Sequence, residues 1–115
     1  MRYVNAGHPT GLVRRGQTLA RLTPTGHPLG YFDQPELEEK TFRLLAGDRL
    51  LLYTDGLVDG LNPGGEVFGT RSLEKLLLDR QSNHLQFLEE LFAAVDDHLE
   101  GDSILDDCTA IVMDL

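Results

Sequence analysis

Carboxylates set beside glycine, or beside one another, are the residues of this sequence whose type and spacing could do chemistry. Tyr53-Thr54-Asp55-Gly56 places an Asp at the end of an apolar run, followed by a Gly that lets the chain turn away. A carboxylate held there by rigid backbone can fix a ligand group, although Asp-Gly after a strand also makes a plain turn. Asp106-Asp107-Cys108-Thr109 puts two carboxylates side by side ahead of the last apolar run. Like charges ~4 Å apart cost roughly 1 to 4 kcal/mol between water-like and surface-like dielectric. A hard Mg²⁺ or Mn²⁺ ion removes that cost, and without one the same residues form a solvated acidic turn. A third string, Asn5-Ala6-Gly7-His8-Pro9, offers a His that could be a ligand, a proton donor or a phosphate contact, or could sit structurally in a Pro turn. His27, in Gly26-His27-Pro28-Leu29-Gly30, is a lesser case of the same kind. Asp96-Asp97 is also an acidic pair, but it falls on a helix flank open to solvent. His84 and His98 lie on or beside that helix. Cys108 has no partner Cys and reads as a small buried side chain entering a strand.

The elements that must position these residues follow from pattern. Residues 2–5 form a short β-like segment. Residues 11–15 and 18–23 are two runs separated by Gly16-Gln17, the signature of a hairpin. Residues 24–35 are broken by Pro and Gly into loop. Residues 37–45 partly alternate as a strand, Gly47-Asp48 makes a turn, and residues 49–54 form an apolar strand of buried type. Residues 55–69 are a Gly-rich loop. Two helices follow. The first, over 70–80, puts Leu73, Leu76 and Leu77 on one face. The second, over 85–99, carries a stripe of Leu85, Leu88, Phe92, Val95 and Leu99. Asn83 is placed as its N-cap, with Gln86 answering as in a capping box, and Gly101 ends it. Residues 110–113 form a last buried strand. Strands, then a helical pair, then one strand predict an α+β fold: an antiparallel sheet with helices on one face and the other face uncovered.

Composition narrows the function. The 115 residues carry ten Lys plus Arg against nineteen Asp plus Glu, a net charge of −9. That balance opposes nucleic-acid binding, which needs a basic footprint, and suits cations or a basic patch on a partner. No apolar run approaches the ~18 residues of a membrane span, and no signal peptide opens the sequence. A single Cys fits a reducing, cytoplasmic setting. The length suits one domain.

Taken in order, several blocks resemble the metal-dependent protein phosphatase family. They are the Asn5-to-Pro9 string, the Gly26-to-Gly30 string, Leu45-Ala46-Gly47-Asp48 running on to Tyr53-Thr54-Asp55-Gly56, Phe68-Gly69, and Asp106-Asp107-Cys108-Thr109. The branch most similar is the bacterial one that includes stage II sporulation protein E and the sigma-factor regulator phosphatases. The resemblance covers essentially the whole sequence. It implies an αββα sandwich, a binuclear Mn²⁺ or Mg²⁺ centre, and phosphate monoester hydrolysis without a covalent enzyme intermediate. Two metals ~3.5–4 Å apart can lower the pKa of a water and aim it at phosphorus. By resemblance Asp55 and Asp106 are metal ligands, and Asp107 supports their loop from a second shell. Asp59, with Gly56 beside Asp55, orders the loop or meets an outer metal. His8 and Asn5 belong to a motif near the site, with no proton transfer assigned to them. The implied substrate is a phosphoprotein, in this branch a phosphorylated anti-sigma-factor antagonist.

The family's N-terminal half, with its Asp-x-x-Gly-His-Gly motif, has no counterpart in these 115 residues. Residues 1–115 are therefore expected to form one partial domain, the C-terminal half of a sandwich, that holds cations weakly and is inactive alone. The competing expectation is a non-catalytic interaction module that binds a partner, or a second copy of itself, through the uncovered sheet face. A generic acidic cation-binding domain would explain the Asp clusters but not their order among the other motifs, and the Asp-x-Asp-x-Asp-Gly spacing of a calcium loop is absent.

Overall fold

The computed structural model describes residues 1–5, 8–25, 38–100 and 108–115. Gly11 to Arg15 (β2) and Thr18 to Leu22 (β3) form the expected hairpin, with Arg15 opposite Thr18. Only Gly16 of the two loop residues has positive φ (61°), the type II′ pattern whose twist matches the strands. Arg49 to Tyr53 (β5) pairs antiparallel with β2, and Ala110 to Asp114 (β6) pairs antiparallel with β5. The order β3-β2-β5-β6 makes one four-stranded antiparallel sheet. Arg2–Tyr3 (β1) and Lys40–Thr41 (β4) form a separate two-stranded ribbon. Two helices, Gly69–Asp79 (α1) and His84–Leu99 (α2), lie between β5 and β6 in the chain. The fold is α+β, as expected.

Strand alternation divides the apolar residues between two faces. Leu12, Leu51 and Tyr53 meet Leu73, Leu77, Phe87, Leu91, Val95 and Leu99 of the helices in the main core. Val13, Leu22 and Leu50 point the other way. This second face is not wholly uncovered, which corrects the expectation. Tyr3 of β1, with Phe42 and Leu44 after β4, packs over Val13, Leu22 and Leu50. The strand expected over 37–45 shrinks to two residues because Phe42 and Leu44 turn down onto this face instead of extending the ladder. Gly11 permits the packing: a Cβ there would stand 2.9 Å from Leu52 Cδ2. Toward β6 the face stays bare, with Ile111 56% and Met113 49% exposed.

The phase of α2 differs from expectation. The buried stripe is Phe87, Leu91, Val95 and Leu99, while Leu85 is exposed and Leu88 and Phe92 are half-buried. Buried Arg49 explains the choice. Its guanidinium binds Asp114 through Nε (2.6 Å) and Nη2 (3.0 Å), donates to the Ser82 carbonyl, and stacks 5.0 Å from the Phe87 ring. Phe87 is thereby drawn inward at the first turn. Asn83 caps α2 as expected, accepting from the Gln86 amide at 2.8 Å. At the other end Glu100 takes the left-handed conformation (φ 51°); Gly101 lies outside the described residues, as does most of the loop expected over 24–35.

Candidate metal-binding and phosphoryl site

Antiparallel pairing brings four chain segments to one end of the sheet. The start of β2, the end of β3, the end of β5 and the start of β6 all lie there. Asp55 follows β5 directly. The Thr54 amide donates to the Thr109 carbonyl at 3.0 Å and the Thr109 amide to the Thr54 hydroxyl at 3.0 Å, so the segments after β5 and before β6 are tied together.

The sequence after Asp55 is more ordered than the expected Gly-rich loop. Asp55–Leu57 forms a 3₁₀ turn in which the Asp55 carbonyl accepts from the Val58 amide (3.0 Å) and the Asp59 amide (2.9 Å). Gly56 is buried in that turn. Leu57 and Val58 anchor it in the main core at 0% and 6% exposure. The turn returns Asp59 to the neighbourhood of Asp55, and both carboxylates are exposed. Neither carboxylate has a hydrogen bond or ion pair among the described residues. Further on, a Leu61–Val67 bridge closes the loop, and His98 of α2 meets the Glu66 carbonyl at 2.8 Å.

Asp55 and Asp59 line a depression of about 380 Å³ together with Thr10, Arg21, Tyr53 and Glu74. Arg21 of β3 and Glu74 of α1 form a two-pronged ion pair in its wall, Nε to Oε1 at 3.0 Å and Nη2 to Oε2 at 2.9 Å. Burial, then the nearby Glu74 and Asp55 carboxylates, pushes the Tyr53 phenol above its ordinary value, so it stays a proton-bearing donor. Arg21 and Glu74 belong to no motif, and Tyr53 stands in the Tyr53-Thr54-Asp55-Gly56 string without a role of its own there. Only the register, with Arg21 opposite Leu12 and Leu12 opposite Leu51, sets them on the helical face beside Asp55.

Asn5 and His8 sit at the same sheet end but turn elsewhere. Asn5 is buried, donating from Nδ2 to the Leu22 carbonyl (3.2 Å) and accepting the His8 amide at Oδ1 (2.7 Å). Its backbone and Thr25 are joined as well, so Asn5 clamps the chain before β2 to the end of β3. His8 is exposed, its Nδ1 2.7 Å from the Pro9 carbonyl. Both line a second, apolar depression with Leu22, Leu50 and Leu52, not the one that holds Asp55. Asp106, Asp107 and His27 lie outside the described residues. Cys108 is half-buried, and burial raises its thiol above the ordinary value.

Two carboxylates on one turn, unpartnered among the described residues, are hard oxygen donors of the kind Mg²⁺ or Mn²⁺ prefers. Among the described residues no cluster of three His, Cys, Asp or Glu side chains is placed to hold a metal ion. The donors present therefore fit such a cation in type and supply part of a ligand set.

The stage II sporulation protein E family model matches residues 1–115. The chain belongs to that family. Its fold is that of the SiaA-PP2C domain of Pseudomonas aeruginosa, with a TM-score of 0.84 at 21% identity over 99% of this chain and 46% of that one. Protein IcfG of Synechocystis is 28% identical over 112 residues, covering 96% of this chain and 18% of IcfG. Phosphoserine phosphatase RsbP of Bacillus subtilis is 41% identical over 58 residues, half of this chain and 14% of RsbP. The chain thus spans less than a fifth of these two curated relatives and under half of the solved domain. Its Cα atoms extend only 19 Å along the shortest axis, the depth of one sheet and one helical layer.

Proposed function

We propose that this chain is the C-terminal half of a metal-dependent phosphoprotein phosphatase domain, residues 1–115 supplying one sheet-and-helix half of a four-layer sandwich. The observation that carries the reading is Asp55: a carboxylate without a partner among the described residues, at the end of inner strand β5 and fixed by a 3₁₀ turn rooted in the core. Asp55 and Asp59 would hold part of a divalent metal site, with Asp106 as the further ligand and Asp107 supporting it. Bound Mn²⁺ or Mg²⁺ would supply Lewis-acid activation of water and neutralise charge on a phosphate monoester. The chain's own residues hold the Asp55 turn in place, keep Tyr53 protonated beside it, and tie Thr54 to Thr109. A phosphoseryl or phosphothreonyl protein in bacterial signalling, such as a phosphorylated anti-sigma-factor antagonist, is the substrate class; the likeness to phosphoserine phosphatase RsbP supports its phosphoseryl part. Two carboxylates hold a metal more weakly than a full ligand set, so the 115 residues alone turn over little or no substrate. The test is phosphate release from a phosphoseryl peptide by the protein carrying this chain, with Mn²⁺ and with EDTA. Release that persists in EDTA would sink the reading.

A second reading is favoured by the bare end of the second face. Ile111 and Met113 are about half exposed next to the apolar depression at Leu50 and Leu52. This surface takes either the other half of the sandwich or, in the isolated chain, a second copy. Sedimentation of the isolated chain tests self-association. A monomer at all concentrations would exclude it.

A further inference from the structure

The depression beside Asp55 is chemically two-sided. Asp55, Asp59 and Glu74 line it with carboxylates, and Arg21 and Tyr53 line it with donors. Arg21 spends Nε and Nη2 on Glu74, which fixes the plane of its guanidinium. Its Nη1 has no hydrogen bond among the described residues. Tyr53 is only 4% exposed, and its hydroxyl also has no hydrogen-bond partner among the described residues. Among the described residues the only buried side-chain donor left unpaired is Arg49 Nη1, so the Tyr53 hydroxyl reaches solvent at the depression, which Tyr53 lines with Arg21. Thr10 and Thr70 line it as well. Resting on the phosphatase reading, we propose that Arg21 and Tyr53 form an oxyanion subsite contiguous with Asp55, which receives the phosphoryl oxygens of substrate and product.

The Glu74 fork explains why an exposed Arg serves. A planar guanidinium already locked on one side presents its remaining N–H pair without further loss of side-chain freedom. Tyr53 supplies a neutral donor that adds no positive charge to compete with a metal at Asp55. Arg21 stands in no motif and Tyr53 heads one only as the neighbour of Thr54-Asp55-Gly56; the two lie on different strands, and Glu74 is 53 residues from Arg21.

The test is titration of inorganic phosphate into the chain with Mg²⁺ present, read by amide NMR shifts. Saturable shifts are expected around Thr10, Arg21, Tyr53 and Thr70, with phosphate affinity roughly tenfold weaker in Tyr53→Phe and in Arg21→Gln, the loss of one charge-assisted hydrogen bond each. Tyr53→Phe keeps the ring and tests the hydroxyl even if Arg21→Gln disturbs the Glu74 pair. Shifts confined elsewhere, or affinity unchanged in both variants, would overturn the subsite. The phosphatase reading fails separately: EDTA-resistant phosphate release removes that reading whatever the NMR shows. Metal-dependent release together with phosphate affinity unchanged in both variants removes only the subsite.

Discussion

Thr54 and Thr109 face one another where the β5–β6 pair ends, and each gives the other's backbone a partner: Thr54 N–H to the Thr109 carbonyl, Thr109 N–H to the Thr54 hydroxyl, both at 3.0 Å. The first bond continues the β5–β6 ladder past Tyr53. The second replaces a ladder bond with a side chain, just where Asp55 leaves the sheet. Thr54 thus couples the turn that carries Asp55 to the segment entering β6.

Replacing Thr54 by Val keeps the shape and removes the hydroxyl acceptor. The expected loss is about 0.5–1 kcal/mol, since the Thr109 amide is open to water. Urea denaturation measures it. Metal affinity of the protein carrying the variant should fall further than this stability loss requires, because the coupling of the two segments is lost. Unchanged metal binding would mean that the tie is structural only.

Phe87 is fully buried and Leu85 is 64% exposed, although they sit two residues apart. Phe87→Ala should cost about 3–5 kcal/mol, and Leu85→Ala should stay within about 0.5 kcal/mol. The midpoints of two denaturation curves decide it. Equal effects would contradict the observed phase of α2.

Acid should weaken the fold through Asp48 and Asp114. The Arg15 guanidinium, bound to Asp48 at 2.7 and 3.0 Å, holds that nearly fully buried carboxyl below its ordinary value, aided by the Leu45 amide against the opposing effect of burial. Arg49 does the same for Asp114. With folded values depressed, the unfolded chain binds more protons as pH falls. The stabilisation is complete above the unfolded value of about 4 and is lost as pH drops through the folded values. Urea midpoints measured from pH 6 to pH 2 should fall below about pH 4, and Asp48→Asn should flatten that fall while lowering stability at neutral pH. A fall confined to pH 5–7 would point to other groups.

Asp59 lies one turn after Asp55 and shares its depression. Asp59→Asn should weaken Mn²⁺ binding roughly 10- to 100-fold, the range for residues that support metal ligands, with little change in thermal stability because the side chain is exposed. Mn²⁺ electron paramagnetic resonance of the protein carrying this chain reads the affinity directly. An unchanged affinity would leave Asp59 with no part in the site.

Local pattern carried much of this fold into view. β2 has the bounds its composition implies, the Gly16-Gln17 hairpin forms, α1 is displaced by one residue, and Asn83 caps α2. Helical spacing alone misplaces the first half of the α2 stripe, because Leu85, Leu88 and Phe92 satisfy it as well as Phe87 and Leu91 do, while Val95 and Leu99 are common to both. What decides between them is Arg49, on a strand 38 positions before Phe87 in the chain (residue numbers 49 and 87). Asp55 was visible from its place after an apolar strand. The anchoring of its turn by Leu57 and Val58, and the Arg21–Glu74–Tyr53 wall beside it, depend on register across three strands and on how α1 docks. No stretch of sequence encodes those alone.

The central claim is that Asp55 belongs to a divalent metal site used for phosphate monoester hydrolysis. The most direct measurement is the Mn²⁺-dependent rate of phosphate release from a phosphoseryl peptide by the protein carrying this chain, compared with its Asp55→Ala variant at matched folding. A rate at least about 100-fold lower in the variant, a transition-state loss of about 2.7 kcal/mol or more, is predicted; an unchanged rate would contradict the claim.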